Sequence, residues 1–174
     1  IKGTSSTSVE QMVKNYKAHA TYPAFYAGTD APTIAAFCQI YMEVCAAEGV
    51  KAEVAFCQAM NETGFLKFGG QVSITQYNFA GMGATDDGAA GASFPNVRTG
   101  VRAQVQHLKG YASTNALNNA CVDPRFAYLS KSRGCAPIVE WLGINENPAK
   151  KGWATSVNYG YNLRNLYMNK LAQY

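Results

Sequence analysis

Residues 33–49 read TIAAFCQIYMEVCAAEG, a helical run that is apolar almost all the way round. Such a helix has no face to offer water, so it must lie at the centre of a helical body. Asp30 with Pro32 predicts its start and Gly49 its end. Other helices have to cover it, and the chain supplies them on both sides. Ser8 followed by Gln11 is a capping-box pattern, after which Val9, Met12, Val13 and Tyr16 repeat at helical spacing. AEVAFCQAMNE follows the central run after a two-residue break and stops at Thr63-Gly64. Asn96 is set as a cap before the stripe Val97, Val101, Val105 and Leu108. A loop over 115–137 leads to a short helix, PIVEWLG. A closing helix from about Asn158 carries Leu163, Leu166, Tyr167 and Leu171 on one side.

Between the third helix and Asn96 the pattern changes. Over 69–96 Gly and Ala are frequent, Gly-Gly and Asp-Gly turns appear, and only short runs such as QVSIT and YNFAGM have strand character. Two or three short strands in a small β-lobe are expected there. The fold class is thus mostly α (α+β), with residues 1–174 forming a single domain and the lobe inserted within it.

Composition narrows the partners. Hydrophobic residues make up 48% and charged residues 15%, as in ordinary globular proteins. No stretch reaches the roughly 20 apolar residues of a membrane span, so no membrane insertion is expected. The opening IKGTSSTS has neither Met nor an apolar signal core, and reads as a processed piece with any export signal upstream. The net charge of +4 suits polyanions in general, but Lys150-Lys151 is the single adjacent basic pair, which argues against nucleic acid. His19 and His107 lie far apart without ligand spacing, so neither a metal nor another cofactor is indicated. Of the five Cys, Cys38 and Cys45 sit about 10 Å apart along one helix, beyond the roughly 7 Å limit for a disulfide. Cys57 reads as apolar filler, which disfavours a thiol protease built on Cys57 and His107. Cys121 and Cys135 bracket a loop and are candidates to pair in an oxidising compartment.

Among the eleven Asp and Glu, Glu62 stands apart. Glu10, Glu43, Glu48 and Glu53 fit solvated helix faces. Glu62 lies nine residues after Glu53, on the opposite side of the same helix and in its last turn. The negative end of the helix dipole disfavours ionisation there, and Met60, Phe65 and Leu66 add desolvation. A carboxyl group held protonated at the junction of a helical body and a lobe suits a general acid.

Four blocks carry a resemblance: QAMNETGFLKFGG, TQYNFAGMGATDDG, ASFPNVRTGVRAQVQHLKGYAS and GWATSVNYGYNLRNLY. In that order, over about 34–171, the chain resembles the glucosaminidase domain of glycoside hydrolase family 73, with clostridial-type autolysin domains the nearest likeness. The resemblance implies a lysozyme-like helical bundle with a β-lobe over a saccharide groove. It implies hydrolysis of the β-1,4 bond between N-acetylglucosamine and N-acetylmuramic acid in a peptidoglycan glycan strand, outside the cytoplasmic membrane, by a secreted enzyme working as a monomer. Its catalytic acid falls on Glu62, and its late Tyr falls on Tyr159. Asn78 and Phe79 match the lobe pair that contacts the sugar, Asn at an N-acetyl group and Phe beside a ring. Tyr77 stands where relatives often carry Asn, and Ser156 where an Asp often follows Ala154-Thr155. Trp153 is placed to stack on sugar, while Trp141 reads as core. For the second catalytic group, Asp86 and Asp87 are the lobe candidates, although Asp before Gly is also ordinary turn chemistry. The substrate's 2-acetamido group is the other candidate. A lytic transglycosylase or muramidase on the same fold, a wall-binding module without activity, and a chitin or N-glycan substrate remain alternatives.

Overall fold

The structure is a computed structural model and describes residues 1–85 and 87–174. Its frame is α1 (Val9–His19), α2 (Ile34–Glu48), α3 (Ala52–Thr63) and α4 (Val97–Ala112). The C-terminal part follows as α5 (Tyr159–Asn162), a π-helical turn (Leu163–Met168) and α6 (Asn169–Leu171). Single 3-10 turns lie at Ala24–Gly28, Ile74–Gln76, Phe126–Leu129 and Val139–Leu142. The molecule is therefore mostly helical, as the periodicity requires.

α2 is the central element and packs against α1, α3 and α4. Phe37, Cys38, Tyr41 and Cys45 are fully enclosed on it. Val97, Val101, Val105 and Leu108, the stripe read from sequence, are equally enclosed on α4. Each such aliphatic or aromatic side chain contributes roughly 1.5–3 kcal/mol by leaving water. Ser8 and Gln11 form the reciprocal capping box of α1, and Gly49 and Gly64 close α2 and α3 in the left-handed conformation.

Several local expectations change. Thr33, not Asp30, caps α2, because its hydroxyl is in register to accept the Ala36 N–H at 3.1 Å. Asp30 instead accepts the N–H groups of Val97 and Arg98, both at 2.9 Å, and so ties the entry of α2 to the start of α4. Asn96 adds its own cap through the Thr99 N–H at 2.8 Å.

The lobe is built without strands among the described residues. QVSIT supplies a 3-10 turn at Ile74–Gln76, capped reciprocally by Ser73 and Gln76, and an isolated antiparallel bridge joins Ala84 to Ala90. Side-chain amides do the work a ladder would have done. Gln76 donates to the carbonyls of Ala90, Gly91 and Ala92, and Asn78 donates to those of Met82 and Ala92. The lobe seats on α4 because Gly100 lets it: a Cβ there would stand 1.8 Å from the Tyr77 carbonyl oxygen.

In the last helix the π-helical turn widens the spacing. Leu163 and Leu171 are buried and Tyr167 half-buried, but Leu166 is 53% exposed and leaves the expected stripe. Trp141 is half-buried and packs on the core, as the sequence suggested. Cys121 and Cys135 are unpaired: the exposed Cys121 thiol turns to the Asp123 carbonyl oxygen at 3.5 Å. No helix among the described residues is long and apolar enough to cross a membrane.

Candidate active site

Glu62 lies in the last turn of α3, where the sequence put it. Beyond Gly64 the chain takes a tight path in which Phe65, Leu66 and Phe68 all have φ near +60° (57°, 63° and 58°). Non-glycine residues avoid this region, so surrounding contacts must hold them there. Thr63 donates to the Ala59 carbonyl and accepts the Leu66 N–H, the Phe68 N–H reaches the Thr63 carbonyl at 2.8 Å, and the Tyr16 hydroxyl donates to the Phe65 carbonyl. The chain is thereby turned across the end of α3 to form one wall of a cleft of about 240 Å³, whose lining includes Glu62, Phe68, Gln71, Asn78, Gly81 and Ala84.

Tyr159 reaches Glu62 from the far end of the sequence. α5 lies against the 3-10 turn Val139–Leu142, and Gly160 permits the approach, since a Cβ there would be 2.1 Å from the Val139 carbonyl oxygen. Glu146 fixes the entry by accepting the Asn158 N–H at 2.8 Å, which holds Asn158 at φ 60°. Tyr159 then donates its hydroxyl proton to Glu62 Oε1 at 2.5 Å and accepts from Gln58 Nε2 at 3.1 Å. The other carboxyl oxygen faces the lobe: a Cβ built on Gly81 would lie 3.8 Å from Glu62 Oε2. Glu62 as a residue is open to the cleft, yet its carboxyl is surrounded deeply enough that loss of water pushes its pKa above the ordinary carboxylate value. The Tyr159 hydrogen bond pulls the other way and is the weaker influence. Burial first, and the neighbouring Glu62 second, drive the Tyr159 hydroxyl well above its usual range, so it stays a proton donor.

A second cleft of about 300 Å³ continues from the first, with Gly81 and Ala84 lining both. His107, Tyr111, Arg125, Tyr128 and Trp153 face it. His107 Nδ1 and Asp123 Oδ2 lie 2.7 Å apart, and Trp153 stands edge-on to the His107 ring at 4.8 Å. The Arg125 guanidinium lies over the Tyr128 ring at 4.7 Å. The two clefts meet at Gly81 and Ala84, and Glu62 lines the first of them.

The other residues singled out from sequence fall unevenly around these clefts. Trp153 lines the second, half-buried. Tyr77 is half-buried and is not among the residues lining either cleft, with its ring 6.1 Å from that of Phe25. Phe79 is 1% exposed and packs edge-on against Phe37, so its ring is closed off from a sugar. Asn78 is 1% exposed, and its amide is fully engaged: it donates to Met82 and Ala92 and accepts the N–H groups of Met82 and Ala80. Both support the lobe, because a strandless lobe needs side chains to satisfy its backbone, and Asn78 also lines the Glu62 cleft. Asp87 is exposed and accepts from the Thr85 hydroxyl. Asp86 lies outside the described residues. Sequence reasoning missed Gln58, Gln104 and Tyr41, which back Tyr159 through a buried chain of hydrogen bonds. The signal was present: Gln58 precedes Glu62 by one helical turn, and Gln104 interrupts an apolar stripe. Among the described residues no group of His, Cys, Asp and Glu is gathered to hold a metal ion.

A carboxyl group with a raised pKa, facing a groove between a helical body and a glycine-rich lobe, is the equipment of a glycoside hydrolase. The family model described as mannosyl-glycoprotein endo-β-N-acetylglucosaminidase matches residues 38–172, and the chain belongs to this glucosaminidase family, glycoside hydrolase family 73. The family is one of glycoside hydrolases, by the description its model carries. The chain is also similar to an uncharacterized protein of Borreliella burgdorferi, 46% identical over 99 residues, or 57% of this chain and 48% of that one. It therefore spans about half the length of that relative. No solved structure matches it.

Proposed function

We propose that the chain hydrolyses the β-1,4 bond between N-acetylglucosamine and N-acetylmuramic acid in peptidoglycan, with Glu62 as the general acid. One observation carries the reading: Glu62 presents Oε2 toward the groove while Tyr159 holds Oε1 at 2.5 Å, and burial raises its pKa. The proton passes from the Glu62 carboxyl to the glycosidic oxygen as the bond from that oxygen to the anomeric carbon breaks. A water then adds to the anomeric carbon and yields its proton, directly or after a bridging intermediate. Tyr159 serves as the orienting donor to Glu62. For the second catalytic group, the exposed Asp87 can act as base through water, Asp86 is the neighbouring candidate, and the substrate's acetamido oxygen can act as internal nucleophile. Inhibition by a thiazoline analogue of the acetamido sugar, with Asp87→Asn still active, supports the internal route; an inactive Asp87→Asn supports the lobe base.

Trp153 and Tyr77 are proposed to shape the sugar path. The domain acts as one unit over residues 1–174, as a monomer, outside the cytoplasmic membrane, where its substrate is. The test is mass spectrometry of fragments released from purified peptidoglycan and reduced with borohydride. Reduced N-acetylglucosamine ends are expected. Reduced muramic acid ends would identify a muramidase instead, and anhydro-muramic ends a transglycosylase.

A further inference from the structure

Behind the Glu62–Tyr159 pair runs a chain of four buried hydrogen bonds whose direction is set by a single backbone group. Gln104 on α4 points its amide Nε2 at the Ala55 carbonyl oxygen at 2.9 Å. A backbone carbonyl can only accept, so this end of Gln104 must be the NH₂ and the other end the oxygen. That oxygen accepts from the Tyr41 hydroxyl at 2.7 Å, while the second Nε2 proton goes to Gln58 Oε1 at 3.0 Å. Gln58 is then fixed in turn: with its oxygen taken, its Nε2 donates to the Tyr159 hydroxyl at 3.1 Å. Having accepted from Gln58, Tyr159 has its own proton left for Glu62 Oε1 at 2.5 Å. Gln58 and Gln104 are both 0% exposed, so no water stands ready to replace either amide.

We propose that Gln104 and Gln58 are positioning residues for the reaction, transmitting one backbone-fixed orientation through Tyr159 so that its phenol donates to Glu62 and leaves Oε2 free for the glycosidic oxygen. The proposal rests on the reading of Glu62 as general acid. Helix α3 contributes Gln58 and Glu62, α4 contributes Gln104, α2 contributes Tyr41 and α5 contributes Tyr159. The relay therefore couples the acid to all three central helices as well as to the C-terminal segment. Among the described residues, burial and Tyr159 are the two influences on Glu62. The titratable groups around the relay are Tyr167 from the π-helical turn, Cys57 on α3, and Tyr41 with Cys38 and Cys45 on α2. Burial pushes each of these above its ordinary value, so they stay neutral while Glu62 titrates.

The test is the pH dependence of kcat/KM on a soluble glycan fragment for wild type, Gln58→Met, Gln58→Glu, Tyr159→Phe and the double variant Gln58→Met/Tyr159→Phe, with thermal melts to establish folding. Gln58→Met keeps the volume but removes both ends of the relay. It is expected to lower kcat on the order of tenfold to a hundredfold with little change in KM. The Tyr159 hydroxyl is then no longer held in one orientation, so its hydrogen bond to Glu62 weakens and the alkaline limb moves to higher pH. Gln58→Glu can stand in for the amide while its carboxyl is protonated and donates to Tyr159. Once ionised it takes the Tyr159 proton instead, so its alkaline limb moves to lower pH. Tyr159→Phe should lose at least as much as Gln58→Met, and the double variant should be no worse than Tyr159→Phe alone. Should Gln58→Met fail to fold, the opposite shift of the same-sized Gln58→Glu still decides. A Gln58 variant with the wild-type profile, or losses that multiply in the double variant, would overturn the relay. Glu62→Gln, run alongside, separates the two layers: if it is inactive while the Gln58 variants behave as wild type, the relay alone fails, and if it retains full rate the reading beneath the relay fails too.

Discussion

Glu62 sits where the fold works against its charge. Its pKa is raised above the ordinary 4.5 because surrounding protein removes water, and the Tyr159 hydrogen bond offsets that in part. A carboxyl whose folded pKa lies above its unfolded value binds more protons when folded. Ionising it therefore subtracts stability as pH rises from about 4.5 through the folded value. Glu62→Gln, which still accepts from Tyr159, is expected to melt at a higher temperature than wild type near neutral pH. The gap should close at about pH 4 and below, where both side chains are neutral. Melting curves across that range check it, and a variant that melts lower at neutral pH would show that the ionised carboxyl helps the fold. The site of Glu62 was legible in the sequence because nine residues of helix phase and a following Thr-Gly stop are local information. The structural share of Asn78 and Phe79 in holding the lobe was not. Their side chains are taken by a lobe whose backbone finds few partners of its own, and only the three-dimensional path shows that demand.

At the scale of elements, capping and phase were read correctly where the signals are short-range. Ser8 with Gln11, Gly49, Gly64 and Asn96 all act as the pattern suggests. What sequence hid was a cap that acts at a distance. Asp30 accepts two N–H groups at the start of α4, 67 and 68 residues away. Asp30→Ala is expected to cost about 1–2 kcal/mol, the usual value of a lost N-terminal cap. It should also loosen the seat of the lobe on α4, since Tyr77 and Gly100 meet within that first turn. Urea unfolding measures the cost, and an unchanged midpoint would mean that Asn96 suffices as a cap. The closing helix shows a related limit. Its apolar stripe assumed regular α-helical spacing, and the π-helical turn over Leu163–Met168 moves Leu166 outward while keeping Tyr167 against Phe65, whose ring centroid lies 6.0 Å away.

Across the whole molecule, a buried ion pair joins parts that periodicity cannot connect. Glu48, expected on a solvated face, is 1% exposed at the end of α2, and Lys109 on α4 reaches it at 3.1 Å with both side chains enclosed. Burial alone would push Glu48 up, but the Asn118 N–H, the Lys109 ammonium and Asn119 outweigh it and hold the carboxyl below 4.5. Glu48 thus clamps α2, α4 and the loop after α4 into one body. Its stabilising share is present above the unfolded value and is lost as pH falls through the depressed folded value. Lys109→Met is expected to cost about 3 kcal/mol near neutral pH, because it strands a buried carboxylate. Pairing it with Glu48→Gln should recover much of that loss. Chemical denaturation of both variants tests this, and a single variant no less stable than the double one would contradict it. The central position of α2 was written in its all-round apolar run, whereas the pair that locks it needed two residues 61 positions apart to meet.

The central claim is that Glu62 delivers the proton that breaks the glycan strand. The direct measurement is the rate at which wild type and Glu62→Gln release new reducing ends from purified peptidoglycan, with far-ultraviolet circular dichroism showing that the variant is folded. A folded Glu62→Gln is expected to be slower by roughly two to four orders of magnitude, the contribution of a positioned general acid. A folded Glu62→Gln that works at the wild-type rate would place the acid elsewhere and contradict the account.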